Sequence, residues 1–306
     1  MRFKGTALLA AALVGIISYY FLIDLPSEKR KNKEKDRAEK VILFDPENVK
    51  GISFTKGEVT IALKGLGIDE WQMTAPVNAK GDALAVSDFL SFLSNLNFTR
   101  VVEESSKDLS PFGLDTPGLK IILSMNNGET KGVRVGDDHP MGNKVYLALL
   151  KGSQVLAAGV TKNRLDRSAH DLRDKTILDF KTPQIKKIEF VRNDKTLNLI
   201  KDKESWKVLE NTVIAKGNGT EITNLLNTIQ AAQIEQFVEE KPKQLTSYGL
   251  NNPKLTVKLS ASESNEPLAL LIGENSDHGF YAKTLSKENI FTINQSLFDT
   301  LNNRKF

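Results

Sequence analysis

The chain has 306 residues, 26% of them charged and 40% hydrophobic, a globular composition with room for two ordinary domains. It contains no cysteine, which excludes disulfides, thiolate metal sites, iron–sulfur clusters, cysteine nucleophiles and a lipidated N-terminal cysteine; three histidines leave little for a histidine-rich metal centre. The net charge of +4 is local, because residues 1–40 hold nine Lys/Arg against five Asp/Glu and the rest of the chain is balanced, so the body has none of the basic excess a nucleic-acid partner requires.

Residues 6–23 (TALLAAALVGIISYYFLI) are eighteen residues without a charge. As a helix they span about 27 Å at 1.5 Å per residue, close to the roughly 30 Å of a hydrocarbon core. The run exceeds the ~7–15 apolar residues of a signal peptide and ends in Tyr19, Tyr20 and Phe21 rather than a small-residue cleavage site. Residues 1–26 therefore read as an uncleaved transmembrane anchor, with its tyrosines suited to the interface. Residues 27–44 read as a charged stalk, in which Glu28, Glu34, Asp36 and Glu39 offset Lys29, Arg30, Lys31 and Lys33 and weaken an anionic-lipid contact. Seven Lys/Arg follow the span and two precede it, a balance that by itself favours a cytoplasmic C-terminus. Long domains translocate largely regardless of charge, so the count leaves sidedness open.

An internal repeat organises the remainder. A shift of 136 residues brings Ile52-Ser53-Phe54 onto Ile188-Glu189-Phe190, Ala79-Lys80-Gly81-Asp82 onto Ala215-Lys216-Gly217-Asn218, and Phe112-Gly113-Leu114 with Pro117 onto Tyr248-Gly249-Leu250 with Pro253. Between 79 and 124 the shift needs no gap, and fifteen of the 46 positions are identical. Trp71 and Trp206 correspond after a one-residue slip, as do Tyr146 and Tyr281. Residues 45–180 and 181–306 are thus two copies of one module.

In copy one, alternation predicts strands at 51–54, 59–63 and 71–73, and further strands at 100–103, 119–124, 132–135, 144–149 and 154–158. Copy two repeats them at 187–191, 197–200, 206–209, 236–239, 255–259, 268–272, 280–283 and 290–292. One helix is expected in each copy, about 83–97 and 219–233, because Val86, Phe89, Leu90, Leu93 and Leu96 fall at helical spacing and Ile222, Leu225, Leu226, Ile229 and Ala232 repeat it. Asp82 and Asn218 stand at the N-cap positions. Strands clustered around a single helix imply an α+β module with a mainly antiparallel sheet. Pro117 and Pro253 close turns that launch strands. Phe112, Tyr248, Trp71 and Trp206 are expected to pack in the core.

Sites of chemistry are sparse. The sequence has no Walker-type or dinucleotide glycine motif, no nucleophile elbow and no zincin helix, and no catalytic, cofactor-binding or metal residue is assigned. The best cluster is Asp137-Asp138-His139 with its counterpart Asp277-His278, which could bind a divalent cation; the turn-forming character of Asp, His, Gly and Pro favours a strand connection instead. His170 is expected on a charged helix face.

Trp71, Gly81-Asp82 before the helix, Gly113-Leu114-Asp115 with Pro117, and the glycines after a strand, Gly136 and Gly273, together resemble the DUF4340 family of domains of unknown function. Copy two departs from the pattern, with Asn218 for Asp82 and Asn251 for Asp115, and no proline at the place of Pro76. The resemblance implies a bacterial inner-membrane, single-pass protein with its bulk in the periplasm, associated with ABC-transporter components of the gliding-motility type, and brings no biochemical activity. The expected function is a non-catalytic accessory subunit that docks on an ABC-type permease or its auxiliary protein. The alternatives are a lipid- or glycan-binding protein and, behind it, an envelope hydrolase using carboxylates such as Asp82 or Glu103.

Overall fold

The computed structural model describes residues 34–303 except 193–194, 211–212 and 262–265, together with residues 13, 19, 20 and 22. The expected span at 6–23 and the start of the stalk thus fall mainly outside the described residues; among those described, no helix is long and apolar enough to cross a membrane. The chain divides between Asp174 and Lys175 into two compact units.

Unit 1 contains strands β1 (Val49–Lys56), β2 (Val59–Gly67), β3 (Glu70–Ala75), β4 (Ala79–Lys80), β5 (Phe98–Glu103), β6 (Leu119–Met125), β7 (Thr130–Asp138), β8 (Val145–Leu149) and β9 (Val155–Ala158). Among the described residues they form one sheet ordered β4-β3-β2-β1-β6-β7-β8-β9-β5, with every neighbour antiparallel. Unit 2 contains β10 (Lys187–Arg192), β11 (Lys195–Asp202), β12 (Ser205–Glu210), β13 (Val213–Gly217), β14 (Gln236–Glu239), β15 (Leu255–Ser260), β16 (Leu268–Ser276), β17 (Gly279–Thr284) and β18 (Ile290–Ile293). Their order, β13-β12-β11-β10-β15-β16-β17-β18-β14, repeats that of unit 1 strand for strand, again antiparallel throughout. Register repeats too: Ile52 lies opposite Leu63 and Phe54 opposite Ile61, as Ile188 lies opposite Leu199 and Phe190 opposite Leu197.

Among the described residues from 41 to 303, five helices accompany the sheets: α1 (Ala83–Ser94), α2 (Lys162–Leu165) and α3 (Ala169–Leu172) in unit 1, α4 (Gly219–Ala231) and α5 (Gln295–Asn302) in unit 2. The principal helices α1 and α4 bury Val86, Phe89, Leu90 and Leu93, and Ile222, Leu225, Leu226 and Ile229, at i, i+3, i+4 and i+7. Fully burying such a side chain stabilises by about 1.5–3 kcal/mol. Each set packs with the inward residues of its own sheet, Ile121, Leu123 and Val133 in one unit and Val257, Leu259 and Ile272 in the other. The fold is two mainly antiparallel sheets with few helices.

Four details differ from the sequence-based expectation. The helices stop at Ser94 and Ala231: after the first, Asn95 turns back to donate from Nδ2 to the Ser91 carbonyl at 2.9 Å and the Leu96 carbonyl accepts from Val41 N–H at 2.9 Å, and after the second, Ala232 is extended with ψ of 139°. The Val41 bond shows that residues 41–44 are no stalk: Val41 and Ile42 are buried in the core of unit 1. At the other boundary, Ile177, Leu178 and Phe180 pack in the core of unit 2 rather than unit 1. Finally, β4, β13 and α5 had no expectation; α5 is held by buried Leu297 and Leu301 and by Phe298 stacked on Phe280 at 3.8 Å.

Candidate functional surfaces

The shared motifs resolve into contacts that hold the turns. Asp82 accepts from Ala85 N–H at 3.0 Å, and Asn218 accepts from Thr220 and Glu221 N–H at 3.1 and 3.4 Å, so both cap their helices. Gly113 and Gly249 adopt φ of +65° and +66°, the left-handed region, where each ends a single 3-10 turn. Leu114 and Leu250 then turn inward and are buried, and their N–H groups bond the Leu109 and Leu245 carbonyls at 3.1 Å. Pro117 and Pro253 are half-buried just ahead of β6 and β15. Trp71 is half-buried against the core on β3, while Trp206 on β12 is buried outright.

Phe112 and Tyr248 are also half-buried, and neither joins its unit's main core. Phe112 lies in a satellite cluster with Leu114, Ala148 and Val155, edge-on to Tyr146 at 5.1 Å; Tyr248 meets Tyr281 in the same manner at 5.0 Å. Tyr248 Oη donates to Glu239 Oε2 at 2.7 Å, and that bond, with the carboxylate's charge, raises the phenol above its ordinary value.

The acidic–histidine clusters fall in strand connections. Asp137 and Asp138 end β7, and His139 opens the turn to β8, with its Nδ1 accepting from Met141 N–H at 3.1 Å and its ring 5.1 Å from Tyr146. Asp137 lies against the Cα of Gly113, as Glu274 lies against Gly249. Asp277 and His278 form the two-residue loop between Ser276 and Gly279. Among the described residues no group of three or more His, Asp or Glu side chains is placed to hold a metal ion. His170 lies on α3, half-buried.

Sequence reasoning missed a cleft in unit 1. It encloses about 760 Å³ between the β2–β3 turn and α1, with Leu66, Ile68 and Trp71 on one side and Ser87 and Leu90 on the other. Leu66 near the end of β2 and Ile68 in the turn after it are 60% and 96% exposed, an apolar rim at a hairpin where polar residues are usual. The β11–β12 turn of unit 2 reads Asp202-Lys203-Glu204 instead, all exposed, with Asp202 paired to Lys207 at 2.6 Å. The available signal was the Gly65-Leu66-Gly67-Ile68 run inside an expected turn.

Comparison with known families gives one match, to "Domain of unknown function (DUF4340)", over residues 71–238 and 206–306. The two matched stretches begin at Trp71 and Trp206, the tryptophans that the internal repeat aligns. No curated protein and no solved structure matches the chain. With most of the chain covered and the motif residues placed twice in one sheet order, this protein belongs to the DUF4340 family.

Proposed function

We propose that this protein is a non-catalytic, membrane-anchored accessory subunit of an envelope ABC-type transport complex of the gliding type, with its two sheet units docking on the transporter or presenting cargo to it. The observation that carries a docking role is where the two copies agree and where they diverge. Their likeness is concentrated in caps, turns and buried faces: Asp82 and Asn218, Gly113 and Gly249, Leu114 and Leu250. Their difference lies on the surface, where Leu66 and Ile68 in unit 1 face solvent against Asp202 and Lys203 in unit 2. One fold with two different surfaces suits recognition of two sites on a larger assembly. Of the carboxylates named for a hydrolase, Asp82 is engaged as a helix cap, while Glu103 stands exposed at the end of β5. The transporter itself, and the periplasmic side, come from the family resemblance and the apolar run at 6–23.

Purification of the full chain in mild detergent, with identification of co-purifying membrane proteins, tests this. Recovery of an ABC-type permease or its auxiliary protein in stoichiometric amount is expected. Recovery of the chain alone, under conditions that keep other transport complexes intact, would sink the proposal.

A second reading, a lipid- or glycan-binding protein, rests on the cleft under Leu66 and Ile68, with Trp71 as a stacking or packing surface. Native mass spectrometry distinguishes it: bound lipid or sugar lost on Ile68→Asp, with the protein complex unchanged, would favour the binding protein.

A further inference from the structure

The two units differ at one sheet edge. In unit 1 the outer edge of β4 is covered by the chain's own residues 172–174, which run antiparallel with Arg173 opposite Gly81. Asp82 N–H donates to the Leu172 carbonyl at 2.8 Å, and Asp174 N–H donates to the Lys80 carbonyl at 2.9 Å. Leu172 is buried, and the Asp174 carboxylate lies 3.5 Å from Lys80 Nζ.

In unit 2 the equivalent edge is β13, whose Val213-Ile214-Ala215-Lys216-Gly217 aligns with Val77-Asn78-Ala79-Lys80-Gly81. β13 pairs with β12 in the register that β4 keeps with β3, Lys207 opposite Lys216 as Gln72 lies opposite Lys80. The N–H and C=O of Ile214 and Lys216, and the N–H of Asn218, therefore face away from β12. Among the described residues, none bonds to the Lys216 carbonyl or the Asn218 N–H, and Lys216 has no ion-pair partner. The edge is also longer and more apolar than its counterpart: five residues against two, with Val213 65% and Ile214 68% exposed where unit 1 has Asn78 bonded to Gln72. Protein edges are normally covered or charged, because an exposed apolar strand is a template for pairing.

We infer that β13 is a strand-addition site, which takes an extended segment of a partner protein carrying an apolar residue followed two positions later by an acid. The chemistry is read from residues 172–174 on the matching edge, where the acid answers Lys80 as the partner's acid would answer Lys216. Backbone bonds to Ile214, Lys216 and Asn218 would supply affinity, and the Lys216 ammonium the register. A second copy of β13 is disfavoured, because pairing centred on Lys216 sets two lysines directly opposite each other. The inference is independent of whether the larger assembly is a transporter.

The probe is a fluorescein-labelled peptide of residues 170–176, His-Asp-Leu-Arg-Asp-Lys-Thr, titrated by anisotropy against the full chain in detergent. Saturable binding is expected. Ile214→Pro, which removes an outward N–H, should weaken it at least tenfold, with folding checked by circular dichroism. Lys216→Glu should weaken it similarly, and a peptide bearing Asp174→Lys should recover binding to Lys216→Glu but not to the unaltered protein. No saturable binding, or binding that neither variant changes, would overturn the inference. So would concentration-dependent dimerisation abolished by Ile214→Pro without peptide binding, which would assign the edge to a second copy.

Discussion

The carbonyl of Phe112 lies so close to Gly136 that no side chain fits between them, and the carbonyl of Tyr248 lies against Gly273 in the same way. The loop glycine and the strand glycine of the shared motif are thus two halves of one backbone contact, which seats the Gly-Leu turn on β7 in unit 1 and on β16 in unit 2. Gly136→Ala or Gly273→Ala is expected to destabilise its unit by about 1–3 kcal/mol or more, as overpacking against fixed backbone does. Equilibrium urea unfolding in mild detergent reads the shift. Midpoints unchanged in both variants would show that the loop moves away freely.

Leu90 is 3% and Leu226 1% exposed on the inward faces of α1 and α4. Leu90→Asp and Leu226→Asp should each cost several kcal/mol, since an unpaired carboxylate replaces a packed side chain. Removing a cap is milder: Asp82→Ala or Asn218→Ala should cost about 1 kcal/mol, while Asp82→Asn should cost little because Asn caps as well. Thermal unfolding of the five variants orders them, and a cap loss as large as the core substitution would refute this ranking.

These helices were legible because burial at i, i+3, i+4 and i+7 leaves a trace in any amphipathic segment, and the Asp82 and Asn218 caps precede it directly. The strands were legible where one face is buried, as in the strict alternation of β6 and β15. β4 and β13 left no such trace: one has two residues, and the first four of the other's five are exposed. Val41 and Ile42 were hidden for another reason. They follow a charged segment, and only the pairing of Val41 with the loop after α1 shows that they belong to the core. The cleft depends on how the Leu66–Ile68 turn stands above α1, which no linear pattern records.

Unit 2 carries a charge ladder on the outer face of its sheet that unit 1 lacks. Glu189 accepts from Lys258 Nζ at 2.7 Å and from Lys187 Nζ at 3.1 Å, and the Lys258 bond above all holds its carboxyl below the ordinary value. The unit 1 counterparts, Ser53 and Ile122, are uncharged. A lowered folded-state value means that this contribution is complete above the unfolded carboxylate range and is lost as pH falls through the folded value. Stability in urea should therefore decline on acidification below the ordinary glutamate range, and Glu189→Gln should flatten that decline. An identical acid profile in the variant would contradict the assignment.

Asp138 is exposed at the end of β7, and His139 is tied into its turn by the Met141 N–H. Asp138→Ala should leave stability within about 0.5 kcal/mol, the usual range for surface substitutions. His139→Ala should lose slightly more, because its ring packs on Tyr146. Calcium and zinc should shift the melting temperature of the unaltered protein and both variants alike. A large metal-dependent stabilisation that either substitution removes would turn this strand connection into a cation site.

Sidedness sets the flanking charges against the family resemblance. Seven Lys/Arg after residues 6–23, against Arg2 and Lys4 before them, argue for a cytoplasmic body on the positive-inside rule. A folded region as long as residues 41–303 is of the size that translocates with little regard to flanking charge. A chain without cysteine loses nothing in an oxidising compartment. The body is therefore expected outside the cytoplasm, held near the membrane because Val41 is already fixed in unit 1. From residue 24 to residue 40 the connection reaches at most about 60 Å fully extended, and less than half of that as a helix. Alkaline phosphatase fused after Phe306 should be active, and green fluorescent protein at the same point, exported unfolded, should be dark. The reverse pattern would place both sheets in the cytoplasm and remove the envelope part of the proposed function, leaving a membrane-tethered docking protein whose partners must be sought on the other side.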